Sequence, residues 1–422
     1  MNLPLRFNFI PYPLWRRDVP APLGALLRPL FGALLMADAD EHPPVTPREL
    51  AHTLARWRLL PAGMEVGAAR RALENYTPQV ETVALNVKPT GHASHRPLRL
   101  PAQWEPVEAV VLAWPAYYPP LWETHAQIVE AICPVARVDI LLPVPQWAGA
   151  VDLWLTARGI DRSRVRLLHL PTDDIWVRDY GPIVALDEEG RQVVVDAIFN
   201  PLAQYPQRRD NAMAARWAAH QHLPVRALNL HIEGGNLWSD GAGTLLMSDE
   251  LISRHAALGL DRAEVERRLQ QVFAFDKLIL TPHLRYEETG HIDLVCKLAD
   301  ARTVLVNAPS SRVNGLRLAA VRDRLRKTTN AAGESYQVIE LPLPPAYLNW
   351  GVYPVWRSYT NALTVNGRVL VPVFGLSSDQ EALRLYHAAM PDHEVIAIES
   401  RAAANGGGAV HCLTKEIPAA AR

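Results

Sequence analysis

Residues 137–171 read RVDILLPVPQWAGAVDLWLTARGIDRSRVRLLHLP. Two short runs of leucine and β-branched residues, 137–144 and 164–171, flank a longer stretch of helical texture, Gln146–Arg158. Strand, helix and strand in that order are the unit from which parallel sheets are built. The same alternation extends through most of the chain. Apolar runs of strand length recur as EAVVLAWP (108–115), RQVVVDAIF (191–199), KLILTPHL (277–284), IDLVCKLA (292–299), RTVLVNAP (302–309), RVLVPVFG (368–375) and HEVIAIES (393–400). Helical stretches fall at Leu121–Ile132, Asn211–His222, Arg262–Phe273, Val313–Thr328 and Asp379–Ala389. The alternation occurs about five times without any repeat of the sequence itself, which makes this an α/β chain.

Upstream of Leu100 the texture differs. VTPRELAHTLARWRLLPAG (45–63) predicts a helix with Thr46 as N-cap, Pro47 at the first helical position, Glu49 completing a capping box and Gly63 beyond the end. VETVALNV (Val80–Val87) reads as a strand, and KPTGHASHRP (88–97) as a linker. A boundary near Arg99 divides an N-terminal extension of unknown role, residues 1–99, from a catalytic domain at 100–422. The segment WRRDVPAPLGALLRPLFGALLMADAD (15–40) loosely resembles an export signal, but Arg28-Pro29 splits its apolar stretch. A surface-packed amphipathic helix or an arm is the preferred reading.

The chain has 422 residues, 49% hydrophobic and 21% charged, with a net charge of −1. That balance argues against broad electrostatic capture of nucleic acid or of an anionic membrane. Three cysteines, Cys133, Cys296 and Cys412, are too few for a disulfide framework and fit reduced thiols in a cytoplasm. No apolar run reaches the 18 residues of a spanning helix.

Five segments set charged or small residues beside apolar strands: DDIWVRDYGP (173–182), HIEGGNLWSDG (231–241), ETGHIDLV (288–295), RSYTNAL (357–363) and NGGGAVHCLTKE (405–416). Asp179, Glu233 and Asp293, gathered in one cleft, would repel one another unless a cation were bound. A guanidinium suits them best, because its planar fork pairs bidentately with carboxylates. The same cation would help ionise a thiol. At about 4 Å and an effective dielectric near 20, a unit positive charge favours a thiolate by roughly 4 kcal/mol. Cys412, after three glycines, is then the candidate nucleophile and His291 the acid–base partner that protonates departing ammonia and deprotonates water.

Each residue also has a plainer reading. Asp179 and Glu233 can be turn residues, Asp293 can pair with an arginine, and His291 and His411 can be hydrogen-bonded core histidines. Cys133 and Cys296 lie inside apolar stretches and are read as core thiols. Metal binding is the chemical rival, since His291, Asp293, Cys296, His411 and Cys412 are all ligand types, but no CxxC or HExxH spacing occurs.

Together LPAQWEPVEAVVLAWP, DDIWVRDYGP, EGGNLWSDGAGTLL, TGHIDLVCK, YTNALTVNGRVLVPVFG and NGGGAVHCLTKEIP resemble the agmatine deiminase and bacterial peptidyl-arginine deiminase family of guanidino-group-modifying enzymes. The resemblance runs from about Leu100 to Pro418. It implies a five-bladed ββαβ propeller, the pentein fold, with its site on the central axis. It also implies Cys412 as nucleophile, His291 as general acid/base, Asp179 and Asp293 as carboxylates on the guanidinium, and Glu233 as the glutamate of the family's EGG motif. Trp176, Arg178, Asn236, Asn361, Gly407 and Gly408 join the expected substrate contacts. The implied chemistry passes through an S-alkylthiouronium adduct and needs no cofactor or metal.

Two departures bear on the substrate. Where agmatine deiminases carry a tryptophan–glycine–glycine segment the chain reads FNPLAQYPQRRDN (199–211), and the family's glutamine after HCLT is Lys415. Arg208 and Arg209 lie near where peptidyl-arginine deiminases hold a substrate carboxylate, although an exposed charge pair at a helix start is equally compatible. The expected partner is a small cationic guanidine or an arginyl peptide, and a homo-oligomer is compatible with the sequence. Amidinotransfer and a non-catalytic pentein binding module are the alternatives carried forward.

Overall fold

The structure, a computed structural model, describes residues 46–77, 79–85, 96–116, 119–199, 207–287, 289–349 and 353–420. The export-like segment and most of the expected linker lie outside these residues.

Among the described residues, five of the six sheets share one plan, an antiparallel pair followed by a parallel third strand. In the second unit Ile183–Leu186 and Gln192–Ile198 run antiparallel, and Val225–His231 is added in parallel after the helix Met213–His220. The third unit uses Trp238–Ser239, Thr244–Ser248 and Lys277–Thr281, the fourth Cys296–Leu298, Thr303–Asn307 and Gln337–Leu341, the fifth Leu363–Val365, Arg368–Val373 and Glu394–Glu399. The first unit joins residues 107–142 to the C-terminal strand. Lys415–Pro418 pairs antiparallel with Val107–Ala113, which pairs in parallel with Arg137–Leu142. Val165–His169 extends this sheet, and Val80–Thr82 from the N-terminal segment adds a fifth strand. A parallel connection must cross the sheet, and an amphipathic helix does this while covering one face. In Gly315–Lys327, Leu318, Val321 and Leu325 form the buried stripe, while Leu316 on the opposite side is 91% exposed.

The central strands are buried on both faces, and their period of two sends alternate residues into different cores. Val304 and Val306 join a core shared with Trp238 and Leu246 of the third unit, whereas Leu305 joins one shared with Val369 and Val371 of the fifth. Leu112 likewise shares a core with Leu363 and Leu370 of the fifth unit, and Val111 one with Val184 and Val194 of the second. A further core joins Val195 to Leu245 and Met247. The five cores therefore link the units in cyclic succession, the fifth back to the first.

The α/β class and the six expected long helices are present within a few residues of their expected bounds. The Thr46–Glu49 capping box forms as expected, and the helix it starts, Pro47–Arg56, buries Leu50, Ala51 and Leu54 in the core of the first unit. IDLVCKLA departs from a single strand. Ile292–Leu294 is a 3-10 turn and only Cys296–Leu298 is strand, because the Asp293 carbonyl is drawn out of the ladder by the Thr360 hydroxyl at 2.8 Å. The expected strand Val80–Val87 is shorter, Val80–Thr82, with residues 86 and 87 outside the described ones. The helix Glu250–Ala256 was not foreseen from the sequence.

Candidate active site

The candidate residues occupy equivalent places in the fold. Each unit's last strand leads into a segment that enters the next unit, and these segments carry Asp179, Glu233, the His291–Asp293 pair, Asn361 and Cys412 in turn. Residues far apart in sequence thus meet where the five segments meet.

Glu233 follows the strand Val225–His231 and opens the 3-10 turn Gly234–Asn236. The glycines permit close approach. A Cβ on Gly235 would sit 2.5 Å from His291 Nδ1 and 2.7 Å from an Asp179 oxygen. In the space this leaves, the His291 ring lies between two carboxylates, its Nε2 2.5 Å from Glu233 and its Nδ1 3.5 Å from Asp179. The Gly235 amide donates to the same Asp179 oxygen at 3.1 Å. Arg254, on the unforeseen helix, closes the far side of Glu233 with an ion pair.

The Ala409–Cys412 segment is held by Asn361. Its side-chain oxygen accepts from the Ala409 and Cys412 amides at 3.0 and 3.2 Å, and its Nδ2 donates to Cys412 Sγ at 3.1 Å. Gly408 is another close approach. A Cβ there would fall 2.6 Å from the Trp176 ring and 3.1 Å from Sγ, so Trp176 walls the thiol on that side. Gly407 has φ +91°, which favours glycine. Cys412 Sγ is 3.8 Å from Asp293 Oδ2, and that oxygen also accepts a hydrogen bond from His411 Nδ1 at 2.6 Å. Asp293 Oδ1 is buried with no hydrogen-bond partner among the described residues. A buried acceptor left open in this way fits an incoming donor.

Electrostatics separate these groups. Burial disfavours charge on His291, yet Asp179 and the hydrogen bond to Glu233 outweigh it and hold the imidazole up at about 10. Burial likewise opposes charge on Glu233, but His291 and Arg254 keep its carboxyl down at about 2. Burial dominates at Asp179 and Asp293, pushing them up to about 6 and about 7, with His291 opposing in both cases. The Cys412 thiol is pushed well up by burial and then by the Asp293 and Asp179 charges. The site therefore combines a thiol, an imidazolium and two carboxyls that a bound cation would help ionise.

The remaining sequence-predicted contacts divide. Arg178 is 2% exposed and is engaged behind Cys412, its guanidinium paired with Glu416 and its Nε donating to the His411 carbonyl at 3.2 Å. Asn236 accepts from the Ser248 amide at 2.8 Å and so fastens the glycine turn. Arg208 is exposed on the short helix Arg208–Asn211, whereas the Arg209 amide donates to Asp173 at 2.8 Å. The core assignment of Cys133 and Cys296 agrees with their burial, and all three cysteines are unpaired. Among the described residues no cluster suited to a metal occurs, and no helix is long and apolar enough to cross a membrane.

Sequence reasoning missed Arg254, which has no local signature. It also assigned nothing to Gln103 and Lys297, although both lie in the motifs that carried the resemblance.

Comparison with known proteins gives a consistent result. A model of the Porphyromonas-type peptidyl-arginine deiminase family matches residues 99–418. An agmatine deiminase of Pseudomonas putida is 29% identical over 79% of this chain and 98% of its own length. That of Pseudomonas aeruginosa is 30% identical over 76% and 95%. Among solved structures, an agmatine deiminase of Enterococcus faecalis superposes with a TM-score of 0.70 at 22% identity, covering 79% of this chain and 99% of that one.

Proposed function

The chain belongs to the Porphyromonas-type peptidyl-arginine deiminase family and is a hydrolase of carbon–nitrogen bonds, and from that premise we propose that it deiminates an arginine-type guanidine at Cys412. Agmatine, the substrate in the names of the relatives, is the first candidate, giving N-carbamoylputrescine and ammonia. The observation that carries the reading is the open, buried Oδ1 of Asp293 beside a thiol 3.8 Å from the same carboxylate.

In the proposed reaction Asp179 and Asp293 bind the guanidinium, with Glu233 holding His291 at its side. The cation offsets the carboxylate charge that keeps Cys412 protonated, and the thiol proton is lost to solvent water as the guanidinium binds, leaving the thiolate. Sγ then bonds to the guanidinium carbon while a C–N π pair moves onto nitrogen. His291, protonated at rest, gives its proton to the departing nitrogen, the C–N bond breaks and ammonia leaves. Water adds to the S-alkylthiouronium carbon, its proton passing to His291. The C–S bond then breaks as the adduct's hydroxyl proton is lost to solvent, where the released ammonia takes it up, and the neutral ureido product leaves as the thiolate is restored. Asn361 and Trp176 fix the nucleophile, and residues 100–422 form the catalytic domain with 1–99 as an extension. The unpaired thiols fit a cytoplasmic site of action.

A substrate bearing a carboxylate, such as arginine or a C-terminal arginyl peptide, is the second reading, and Arg357 favours it. Its guanidinium packs over the Tyr347 ring at 4.8 Å and donates to the Pro345 carbonyl, with Asp379 acting on it through space but no carboxylate at ion-pair distance among the described residues. Tyr347 in turn bonds Asn405, at the start of the glycine loop.

Steady-state ammonia release with agmatine, arginine and a C-terminal arginyl peptide separates the two substrates. Ammonia and ureido product are expected in equal amounts from at least one, and Cys412→Ala should abolish both. Release from none of the three would overturn the substrate class, and a guanidinylated acceptor amine would indicate amidinotransfer.

A further inference from the structure

We propose that Gln103 and Lys297 are positioning residues which, acting through His411, hold Asp293 with one oxygen occupied and the other presented to the guanidinium. The proposal rests on the reading of Asp293 as a guanidinium-binding carboxylate. Gln103 lies between the N-terminal boundary and the first strand of the catalytic region. Lys297 lies in the Cys296–Leu298 strand, four residues beyond Asp293.

The directions of the hydrogen bonds follow from the groups at the far end. The Thr364 backbone amide is a donor only and donates to Gln103 Oε1 at 2.9 Å, and Lys297 Nζ donates to the same oxygen at 2.7 Å. The amide orientation of Gln103 is thereby fixed, and its Nε2 faces His411 Nε2 at 3.0 Å. The second Nε2 hydrogen reaches Glu416 at 3.4 Å. Because Gln103 donates, His411 Nε2 must be the bare nitrogen, and the ring proton resides on Nδ1. From there it is donated to Asp293 Oδ2 at 2.6 Å. A doubly protonated ring would set an N–H against the Gln103 amide, so the network also keeps His411 neutral.

The ring is fixed in orientation as well as in tautomer. His411 stacks on Trp238 with centroids 4.7 Å apart, and Lys297 Nζ lies 4.9 Å from the centre of the same indole ring. Trp238 Nε1 is itself anchored to the Cys296 carbonyl at 3.0 Å. Lys297, Asp293 and His411 are each no more than 1% exposed, so water offers little competition for these bonds. The consequence is a division of labour within one carboxylate. Oδ2 is held by a neutral donor that cannot neutralise its charge, and Oδ1 stays open for the substrate.

The test is the tautomer of His411, read by long-range proton–nitrogen NMR on protein labelled with ¹⁵N-histidine. The signal is assigned by its loss in His411→Gln. The wild-type ring is expected to carry its proton on Nδ1 from pH 6 to 9. Gln103→Glu offers an acceptor to Nε2 and should move the proton there, setting a bare Nδ1 against the Asp293 carboxylate. kcat/KM should then fall by about tenfold to a hundredfold, with KM rising as well as kcat falling. Lys297→Met leaves the Thr364 bond to Gln103 in place, so the tautomer should persist with a smaller loss. A wild-type ring protonated on Nε2 overturns the proposal, as does Gln103→Glu with unchanged tautomer and unchanged kcat/KM. If no guanidine is turned over at all, the functional reading fails, while the wild-type spectrum still decides the hydrogen-bond directions.

Discussion

Replacing Asp293 with asparagine should move two measurements in opposite directions. In the proposed reaction the carboxylate binds the guanidinium, but without substrate it also favours the protonated Cys412 thiol, with Oδ2 3.8 Å from Sγ. At that distance and an effective dielectric of about 20, two unit charges repel by about 4 kcal/mol. Removing the charge could raise the thiolate population at fixed pH by as much as on the order of 10³. Asp293 titrates at about 7, so most of this effect is present at pH 8. The asparagine oxygen can still accept from His411 Nδ1, which retains the local geometry. In the ligand-free protein, alkylation of Cys412 by the neutral reagent iodoacetamide at pH 8 should accelerate at least about tenfold. Peptide mapping distinguishes it from the buried Cys133 and Cys296. Deimination by the same variant should fall by on the order of 10² or more, because the charged acceptor of the guanidinium is gone. Slower or unchanged alkylation in a variant of native circular dichroism would refute the idea that Asp293 holds the thiol protonated.

Gly235→Ala would drive a methyl into His291 and Asp179. Activity should drop by about a hundredfold or more with only a modest shift in Tm, and retention of wild-type kcat would contradict the close approach. Arg178→Met leaves the Glu416 carboxylate without its buried partner and should cost about 3 kcal/mol of stability in urea titrations. A loss near zero would mean that Glu416 is solvated. The pH dependence of stability follows from Glu233 and His291. Glu233 is held at about 2 against an ordinary 4.5, so its contribution is complete above pH 4.5 and is lost as pH falls toward 2. His291 is held at about 10 against 6.5, so its contribution is complete below pH 6.5 and is lost as pH rises toward 10. The pair supports the fold most between pH 4.5 and 6.5. In His291→Gln the urea midpoint should decline less steeply from pH 6.5 to 10, and an equal slope in both proteins would remove the imidazolium from the account.

The sequence by itself determined what is local. The period of the apolar runs, the helix lengths and the Thr46–Glu49 cap depend on neighbours a few residues away, and residues 137–171 fold as they read. The motif residues Cys412, His291, Asp179, Asp293 and Glu233 were legible because each segment pairs a reactive side chain with glycine or a strand end. Short strands such as Lys415–Pro418 were not, since their partner lies about 300 residues away and nothing local marks the pairing. Tertiary structure alone decided which side chains share a charge environment. It brought Arg254 onto Glu233, turned Arg178 toward Glu416 and linked Lys297 through Gln103 to His411. Protonation belongs to the same level. A carboxyl or thiol titrates according to its burial and the charges within a few ångströms, and both arise only when five segments separated by 50 residues or more converge.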